Sequence, residues 1–167
     1  DGLIDLFFAS NQSQNKLFIN KGSLQFTDVT KEAGIPNDGG WSTGVSVVDI
    51  NNDGLLDIYV CRVGQYEVLK GKNQLLICKE IKNGVPLYED QAAAYGLDFS
   101  GFSTQAAFFD YDLDGDLDIY LMNHNVFHDE PNNFIQDTKG NRMATDKFYR
   151  NIGTPPGGSH PLYQDAS

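Results

Sequence analysis

The sequence predicts an all-β protein assembled from repeated units of four short strands. Two loops of alternating acids, each with a glycine after the third acidic place, lie between apolar runs rich in β-prone residues. A truncated copy at the start divides the chain into repeats of approximately 1–52, 53–113 and 114–167, the last of them incomplete. Four strands in about 50 residues is the pattern of a β-propeller blade. We therefore expect residues 1–167 to form part of one β-propeller domain, with each blade a four-stranded antiparallel sheet.

The acidic loops place oxygen-bearing residues at positions 1, 3, 5, 7 and 9. Position 7 needs only its backbone carbonyl, so a leucine is as acceptable there as an aspartate. The predicted ligands are Asp49, Asn51, Asp53, Leu55 and Asp57 in the first complete loop, and Asp110, Asp112, Asp114, Asp116 and Asp118 in the second. The truncated copy contributes Asp1, Leu3 and Asp5.

This ligand pattern predicts bound Ca2+, which takes six to eight oxygens at roughly 2.3–2.6 Å. An EF-hand would need a glutamate at position 12, where this sequence has Val60 and Leu121. The flanking runs also favour strands over helices, so we interpret each loop as the turn of a β-hairpin. The alternative is a turn that binds nothing, since Asp and Gly suit turns in any case.

The remaining strands of each repeat recur in the same order. Residues 15–20 correspond to 73–78 and 146–151, and residues 25–28 correspond to 87–90 and 162–165. A looser echo at 32–35 and 94–97 predicts a helical turn or loop, after which a fourth strand runs into the next acidic loop. Several strands are apolar on both faces, which favours blades covered on both sides by their neighbours. A β-sandwich or a β-solenoid is the alternative fold.

Composition and charge exclude some classes of partner. The net charge of −11 argues against nucleic acid as a ligand. Much of the acidity lies in the loops, as expected of carboxylates that hold a cation. No run approaches the roughly 18 apolar residues of a membrane helix. Fewer than three blades are present, so we expect a segment of a longer protein, with the remaining blades of that protein as its neighbours.

The two cysteines do not predict a disulfide. Antiparallel pairing of their strands would separate Cys61 from Cys78 by four residues, or roughly 13 Å, and a bridge requires Cα atoms within about 7 Å. We expect two free and mostly buried thiols.

A long insertion, residues 123–147, supplies the other candidate for chemistry. It contains His124, His128, Asp129 and Glu130, a combination that can bind a transition metal or serve a hydrolase or lyase. No nucleophile elbow, phosphate loop or Ser/His/Asp arrangement accompanies it. Whether the protein is an enzyme therefore stays open, with a non-catalytic module as the preferred interpretation.

The acidic loops and the strands that follow them resemble the FG-GAP/VCBS repeat family, whose calcium-loop propeller repeats also occur in integrin α-subunits. Residues 15–35 are similar to the ASPIC/UnbV-type subgroup. The resemblance implies a secreted or cell-surface propeller, often bacterial, with a structural Ca2+ in each hairpin loop and a role in adhesion or in binding a carbohydrate or a protein. Departures from the family pattern are the neutral Asn51 and the insertion after the strand at 119–122.

Overall fold

The structure is a computed structural model that describes residues 2–66, 68–124 and 143–167. Within these ranges the regular secondary structure consists of β-strands and one short helix. The elements in chain order are β1 (Leu6–Phe8), β2 (Lys16–Asn20), β3 (Phe26–Asp28), β4 (Trp41–Val48), β5 (Asp57–Tyr66), β6 (Leu69–Lys70), β7 (Gln74–Lys82), β8 (Val85–Asp90), α1 (Ala92–Tyr95), β9 (Ser103–Phe109), β10 (Asp118–Asn123), β11 (Lys147–Asn151) and β12 (Tyr163–Asp165).

The strands form three antiparallel sheets in succession. Their strand orders are β1-β2-β3, then β4-β5-β7-β8 with β6 beside β5, and finally β9-β10-β11-β12. The prediction of an all-β fold with propeller-type antiparallel blades is confirmed. The strand that ends each sequence repeat belongs to the following sheet, because β4 pairs with β5 and β9 with β10 across the acidic loops. Each sequence repeat therefore contributes its last strand to the next sheet, and this connects successive sheets.

The second sheet is apolar on both faces because its neighbours cover both. In β5, Ile58 and Val60 join an apolar cluster with residues of the first sheet, whereas Tyr59 and Cys61 join a cluster with residues of the third. All four side chains are at most 3% exposed. Alternate residues of a strand point to opposite faces, so the two apolar sets of β5 fill the two interfaces between sheets.

The strand pairs β1–β2, β5–β7 and β10–β11 are each closed by the same two side-chain hydrogen bonds. The backbone amides of Asn20, Cys78 and Asn151 donate to the position-9 aspartates Asp5, Asp57 and Asp118, each at 2.8 Å. At the other end of the same strand pairs, Asn15, Asn73 and Asp146 accept from the amides of Ser10, Arg62 and Asn123. The segments 15–20, 73–78 and 146–151, which were aligned by sequence, are therefore structurally equivalent.

The segments 32–35 and 94–97, which match more loosely in sequence, also share a local geometry. Gly34 and Gly96 have φ of +75° and +78°, and a Cβ on them would lie 2.8 Å and 2.9 Å from the carbonyl oxygens of Tyr88 and Tyr163. Glycine is required here because the connection after one sheet lies directly against the outermost strand of the next.

The cysteine prediction is confirmed, since Cys61 and Cys78 are both free and buried. The register pairs Val60 with Gln74 and Ile58 with Leu76, which places the two thiols near opposite ends of the β5–β7 pairing. Of the residues that the structure describes, no helix is both long and apolar enough to cross a membrane.

Candidate metal-binding loops

The two complete acidic loops are the turns of β-hairpins, as the sequence predicts. The first joins β4 to β5, where Val48 pairs with Asp57, and the second joins β9 to β10, where Phe109 pairs with Asp118. Both loops therefore lie at the same end of their sheets. Position 9 in each case is already the first residue of the returning strand.

The backbone of the loops curls through two left-handed residues. Asn52 and Leu113 at position 4 have φ of +57° and +61°, and Gly54 and Gly115 at position 6 have φ of +85° and +93°. A positive φ is cheapest for glycine and tolerable for asparagine, which explains position 6 in both loops and position 4 in the first. Leu113 adopts the same conformation with an 86% exposed side chain.

The aspartate at position 1 organises each loop from inside. In the first loop Asp49 accepts the amides of Asp53 and Gly54 through its two oxygens, at 3.0 and 2.9 Å. In the second loop Asp110 accepts the amides of Asp114 and Gly115, at 3.1 and 3.0 Å. The amide of position 7 donates to position 5 in both, from Leu55 to Asp53 and from Asp116 to Asp114. Two loops of different sequence thus fold to one hydrogen-bond pattern.

The second loop brings three carboxylates together. Asp110, Asp112 and Asp118 each place an oxygen within 4.8 Å of the others, a spacing that a single cation can bridge. The equivalent positions of the first loop hold Asp49, Asn51 and Asp57, of which only two are acidic. Asn51 instead donates from its side-chain amide to Asp53 at 2.9 Å.

Asp116 gives the second loop an additional carboxylate. Its Oδ1 is buried and finds no hydrogen-bond donor among the described residues. Burial, followed by the charge of Asp114 and of the other loop acids, raises the pKa of Asp116 to about 6. The sequence predicts only a backbone role for position 7, yet here the side chain lies among the acids. An orphaned carboxylate oxygen in an acidic loop is what a missing cation would leave.

Arg150 supplies a positive charge beside the second loop. Its Nη2 lies 2.8 Å from Oδ2 of Asp112, in a pair whose arginine side chain is about half exposed. Sequence reasoning missed this residue, although the repeat contains the signal. The matching positions in the aligned strands are Ile19 and Ile77, so Arg150 is the charged exception among them. The loop that it contacts has an aspartate at position 3, where the first complete loop has an asparagine.

The position-9 aspartates are buried and have structural partners of their own. Asp57 is 0% and Asp118 1% exposed. Asp57 accepts the amides of Ile50 and Cys78, and Asp118 those of Tyr111 and Asn151. Burial raises the pKa of Asp57 to about 6 despite these bonds, and the charges of Asp53 and Asp49 add to the effect. These two carboxylates connect the loop to the neighbouring strand whether or not a metal is bound.

The truncated loop shows the same ending. Gly2 has φ of +83°, like the glycines of the complete loops, and Asp5 accepts the amide of Asn20. Leu3 is exposed, and Asp1 lies outside the described residues. The predicted ligand set at this end therefore stays a prediction.

The candidate catalytic insertion falls mostly outside the described residues, which exclude His128, Asp129 and Glu130. His124 is described, and its backbone amide donates to the carbonyl of Phe102 at 2.8 Å. Its side chain lines an apolar cavity of about 360 Å3 with Trp41 and Phe102. The enzymatic alternative built on these four residues stays a prediction.

Comparison with known proteins supports the family resemblance in part. Residues 1–60 match the sequence model of the FG-GAP-like repeat. The match covers the first sheet, β4, the first complete acidic loop and the start of β5. No curated protein matches the chain. The VCBS and ASPIC/UnbV resemblances remain predictions.

Proposed function

We propose that this chain is a calcium-stabilised, propeller-type binding and scaffolding module that acts outside the cell. The observation that carries the proposal is the convergence of Asp110, Asp112 and Asp118 within 4.8 Å at a hairpin turn. The FG-GAP-like match of residues 1–60 supports it, because that match includes the other complete acidic loop. In this proposal the three repeats form part of one propeller domain.

The donor set fits a hard cation. Every candidate side-chain ligand in the two loops offers oxygen, and neither loop contains a histidine or cysteine, the ligands that transition metals favour. Asp110, Asp112, Asp114 and Asp118 would hold the ion in the second loop, with Asp116 adding its carbonyl or its orphaned carboxylate oxygen. The first loop offers Asp49, Asn51, Asp53, Asp57 and the carbonyl of Leu55.

The protein supplies hydrogen bonds of its own that order the second loop. Backbone amides already hold the carboxylates of Asp110 and Asp114 in place. These hydrogen bonds do not neutralise the four or five negative charges of the second loop, which repel one another. A bound Ca2+ supplies the positive charge that offsets this repulsion, so binding stabilises the hairpin and the sheet that it begins.

The proposed location follows from the same features. The sites are open loops at the end of a sheet, and extracellular modules of this kind hold Ca2+ with Kd of about 10⁻⁴–10⁻³ M, which suits the calcium concentrations outside cells. A scaffold stabilised in this way would present its remaining surfaces to a glycan or a protein. No observation on the described residues favours the enzymatic alternative.

The test is the variant Asp114→Asn, which removes one loop charge. The amide oxygen can still accept the Asp116 amide, so the metal-free loop keeps its shape. We expect a lower melting temperature than wild type in Ca2+ and nearly the same one in chelator. Asp28→Asn is the matched control, since it removes an aspartate charge that is paired with Lys16, away from both loops. Equal losses for Asp114→Asn in calcium and chelator would contradict a metal role.

A further inference from the structure

A polar cavity of about 630 Å3 lies at the end of the sheets opposite the acidic loops. Its walls come from the connection that enters β4, from the end of β5, from the segment between β6 and β7, and from the connection that follows β8. Trp41 and Arg62 mark its position, because Trp41 begins β4 and pairs with Val63, the neighbour of Arg62 near the far end of β5. Small-ligand pockets have volumes of about 300–1000 Å3, so the cavity is of the size that holds one.

Arg62 gives this cavity a preorganised polar wall. Its side chain is 5% exposed, and its two terminal nitrogens donate to the two carboxylate oxygens of Asp38 at 2.6 and 2.9 Å. Asp38 itself is about half exposed, and its Oδ2 also accepts the side-chain amide of Gln74 at 3.3 Å. The Nε of Arg62 is buried and has no acceptor among the described residues. Gly40 makes room for this arrangement, since a Cβ there would lie 1.0 Å from the guanidinium.

The residues of this wall are not part of the repeated scaffold. Hydrogen-bonding side chains that serve the fold recur in every repeat, as Asn15, Asn73 and Asp146 do. By contrast, the positions equivalent to Arg62 hold Ser10 and Asn123. Burial of the Arg62 guanidinium costs desolvation free energy, which its attraction to the half-exposed Asp38 offsets only in part. The presence of this ion pair at a single sheet therefore favours a role in binding.

The chemistry of the lining indicates the class of ligand. Charged residues are balanced, with three acids and three bases among them: Asp38, Asp90, Asp98, Arg62, Lys70 and Lys72. A strongly anionic or cationic ligand would meet as much repulsion as attraction there. Trp41 adds an aromatic wall that is 41% exposed, whereas Phe102 at the equivalent place in the third sheet is 1% exposed. Fixed donors and acceptors beside an exposed indole suit a neutral polyhydroxylated ring, whose hydroxyls pair with the polar groups and whose C–H face packs on the aromatic plane.

We propose that this cavity binds a neutral carbohydrate, with the half-exposed carboxylate of Asp38 as the main hydrogen-bonding group and Trp41 as the stacking surface. The proposal deepens the binding role proposed above and rests on it for biological context. Its site is separate, at the other end of the strands from the acidic loops. Calcium binding and sugar binding can therefore succeed or fail independently.

Trp41 provides the readout, because it is the one tryptophan in the sequence. The full chain, in Ca2+ and in chelator, is titrated with methyl glycosides and neutral disaccharides while tryptophan fluorescence and its quenching by acrylamide are recorded. We expect at least one sugar to shift the emission and protect the indole, with Kd of about 1 mM or tighter. Calorimetric titration with calcium on the same sample reports separately on the acidic loops.

Three variants and one control, all measured by calorimetry, distinguish binding from stability. Trp41→Ala should abolish the sugar heat, and Trp41→Phe should keep it within a fewfold because an aromatic surface remains. Asp38→Asn should weaken binding about tenfold, as expected for a lost charged acceptor, while the control Asp28→Asn leaves it unchanged. The proposal is overturned if no sugar alters the fluorescence, if inorganic phosphate or an acidic peptide binds in place of sugars, or if Trp41→Ala binds as well as Trp41→Phe.

Discussion

At the scale of single residues, the two acidic loops assign different tasks to carboxylates that look interchangeable in sequence. Position 1 holds the loop backbone, through Asp49 and Asp110. Position 9 is buried and holds the neighbouring strand, through Asp57 and Asp118. Asp114 at position 5 accepts an amide from within its own loop, that of Asp116, and makes no such connection to a neighbouring strand among the described hydrogen bonds. Loss of a position-9 aspartate should therefore destabilise the fold even without calcium, unlike loss of Asp114.

Arg150 yields a prediction at this scale. Its guanidinium contacts Asp112 and opposes a second cation in the same loop, so Arg150→Met should raise calcium affinity roughly three- to tenfold at low ionic strength, with less effect at high salt. Calorimetric titration measures the change. Lys147→Met is the matched control, because it removes one positive charge from the same strand, where the lysine pairs with Asp165. The same gain from both variants would show a general charge effect and contradict the specific role of Arg150.

At the scale of elements, cross-strand ion pairs repeat between corresponding strands. Lys16 of β2 pairs with Asp28 of β3, and Lys147 of β11 pairs with Asp165 of β12. Both aspartates also accept the amide of the second residue after them, Thr30 and Ser167, which turns the chain as it leaves the sheet. The alignment of residues 25–28 with 162–165 matches the two aspartates, and that of 15–20 with 146–151 matches the two lysines; their pairing across the strands is seen only in the structure.

The first of these pairs predicts a pH dependence. The hydrogen bond from Lys16, followed by those from Thr30, lowers the pKa of Asp28 to about 2 from the ordinary 3.8. Because the folded-state pKa is lower than the unfolded one, the stabilisation is complete above about pH 4 and is lost as the pH falls through about 2. Carbon-13 NMR titration of the Asp28 carboxyl should show the low value in wild type.

In the variant Lys16→Met the Asp28 carboxyl should titrate closer to 3.8. The control Lys21→Met, outside the pair, should leave it low. An Asp28 pKa that is unchanged by Lys16→Met would show that the lysine does not cause the shift.

At the scale of the whole molecule, the arrangement of the sheets depends on glycines at their contacts. Gly34 and Gly84 have the same φ of +75°, yet only Gly34 would place a Cβ against a neighbouring sheet, 2.8 Å from the carbonyl oxygen of Tyr88. Gly84→Ala should cost about 1–2 kcal/mol from backbone strain. Gly34→Ala should cost about 1–3 kcal/mol more because the sheets must move apart.

Denaturant unfolding of the two glycine variants measures the difference in the free energy of unfolding. The comparison isolates the contact between sheets from the intrinsic preference of glycine for positive φ. Equal losses would mean that Tyr88 and its sheet adapt without cost, and that the sheet contact does not require glycine at 34.

Much of the fold follows from the sequence because corresponding segments of the repeats have the same pattern and so predict the same structure. The acid and glycine spacing predicts the hairpin turns, and strands that are apolar on both faces predict the covered second sheet, as Ile58 and Tyr59 show on opposite sides. The candidate site was less predictable. The pairing of Arg150 with Asp112 spans 38 residues. The burial of Asp116 Oδ1 also follows from no local pattern, since position 7 of the first loop is a leucine.

The cavity beside Trp41 was beyond sequence reasoning for the same physical reason. Arg62 and Asp38 come together only because the connection into β4 folds over the end of β5, and neither residue belongs to a recurring motif. A departure from the repeat was the available signal in both cases. Residues that differ from their counterparts in the other repeats are the ones that the repeated scaffold does not require.

The central claim is that the acidic loops are structural calcium sites, and calorimetric titration of the chain with Ca2+, paired with melting curves in calcium and in chelator, tests it most directly. We predict that at least two ions bind, one in each complete loop, and that the melting temperature rises clearly in calcium. Absence of binding heat together with identical melting curves would contradict the claim. The loops would then be turns closed by Asp49 and Asp110 alone.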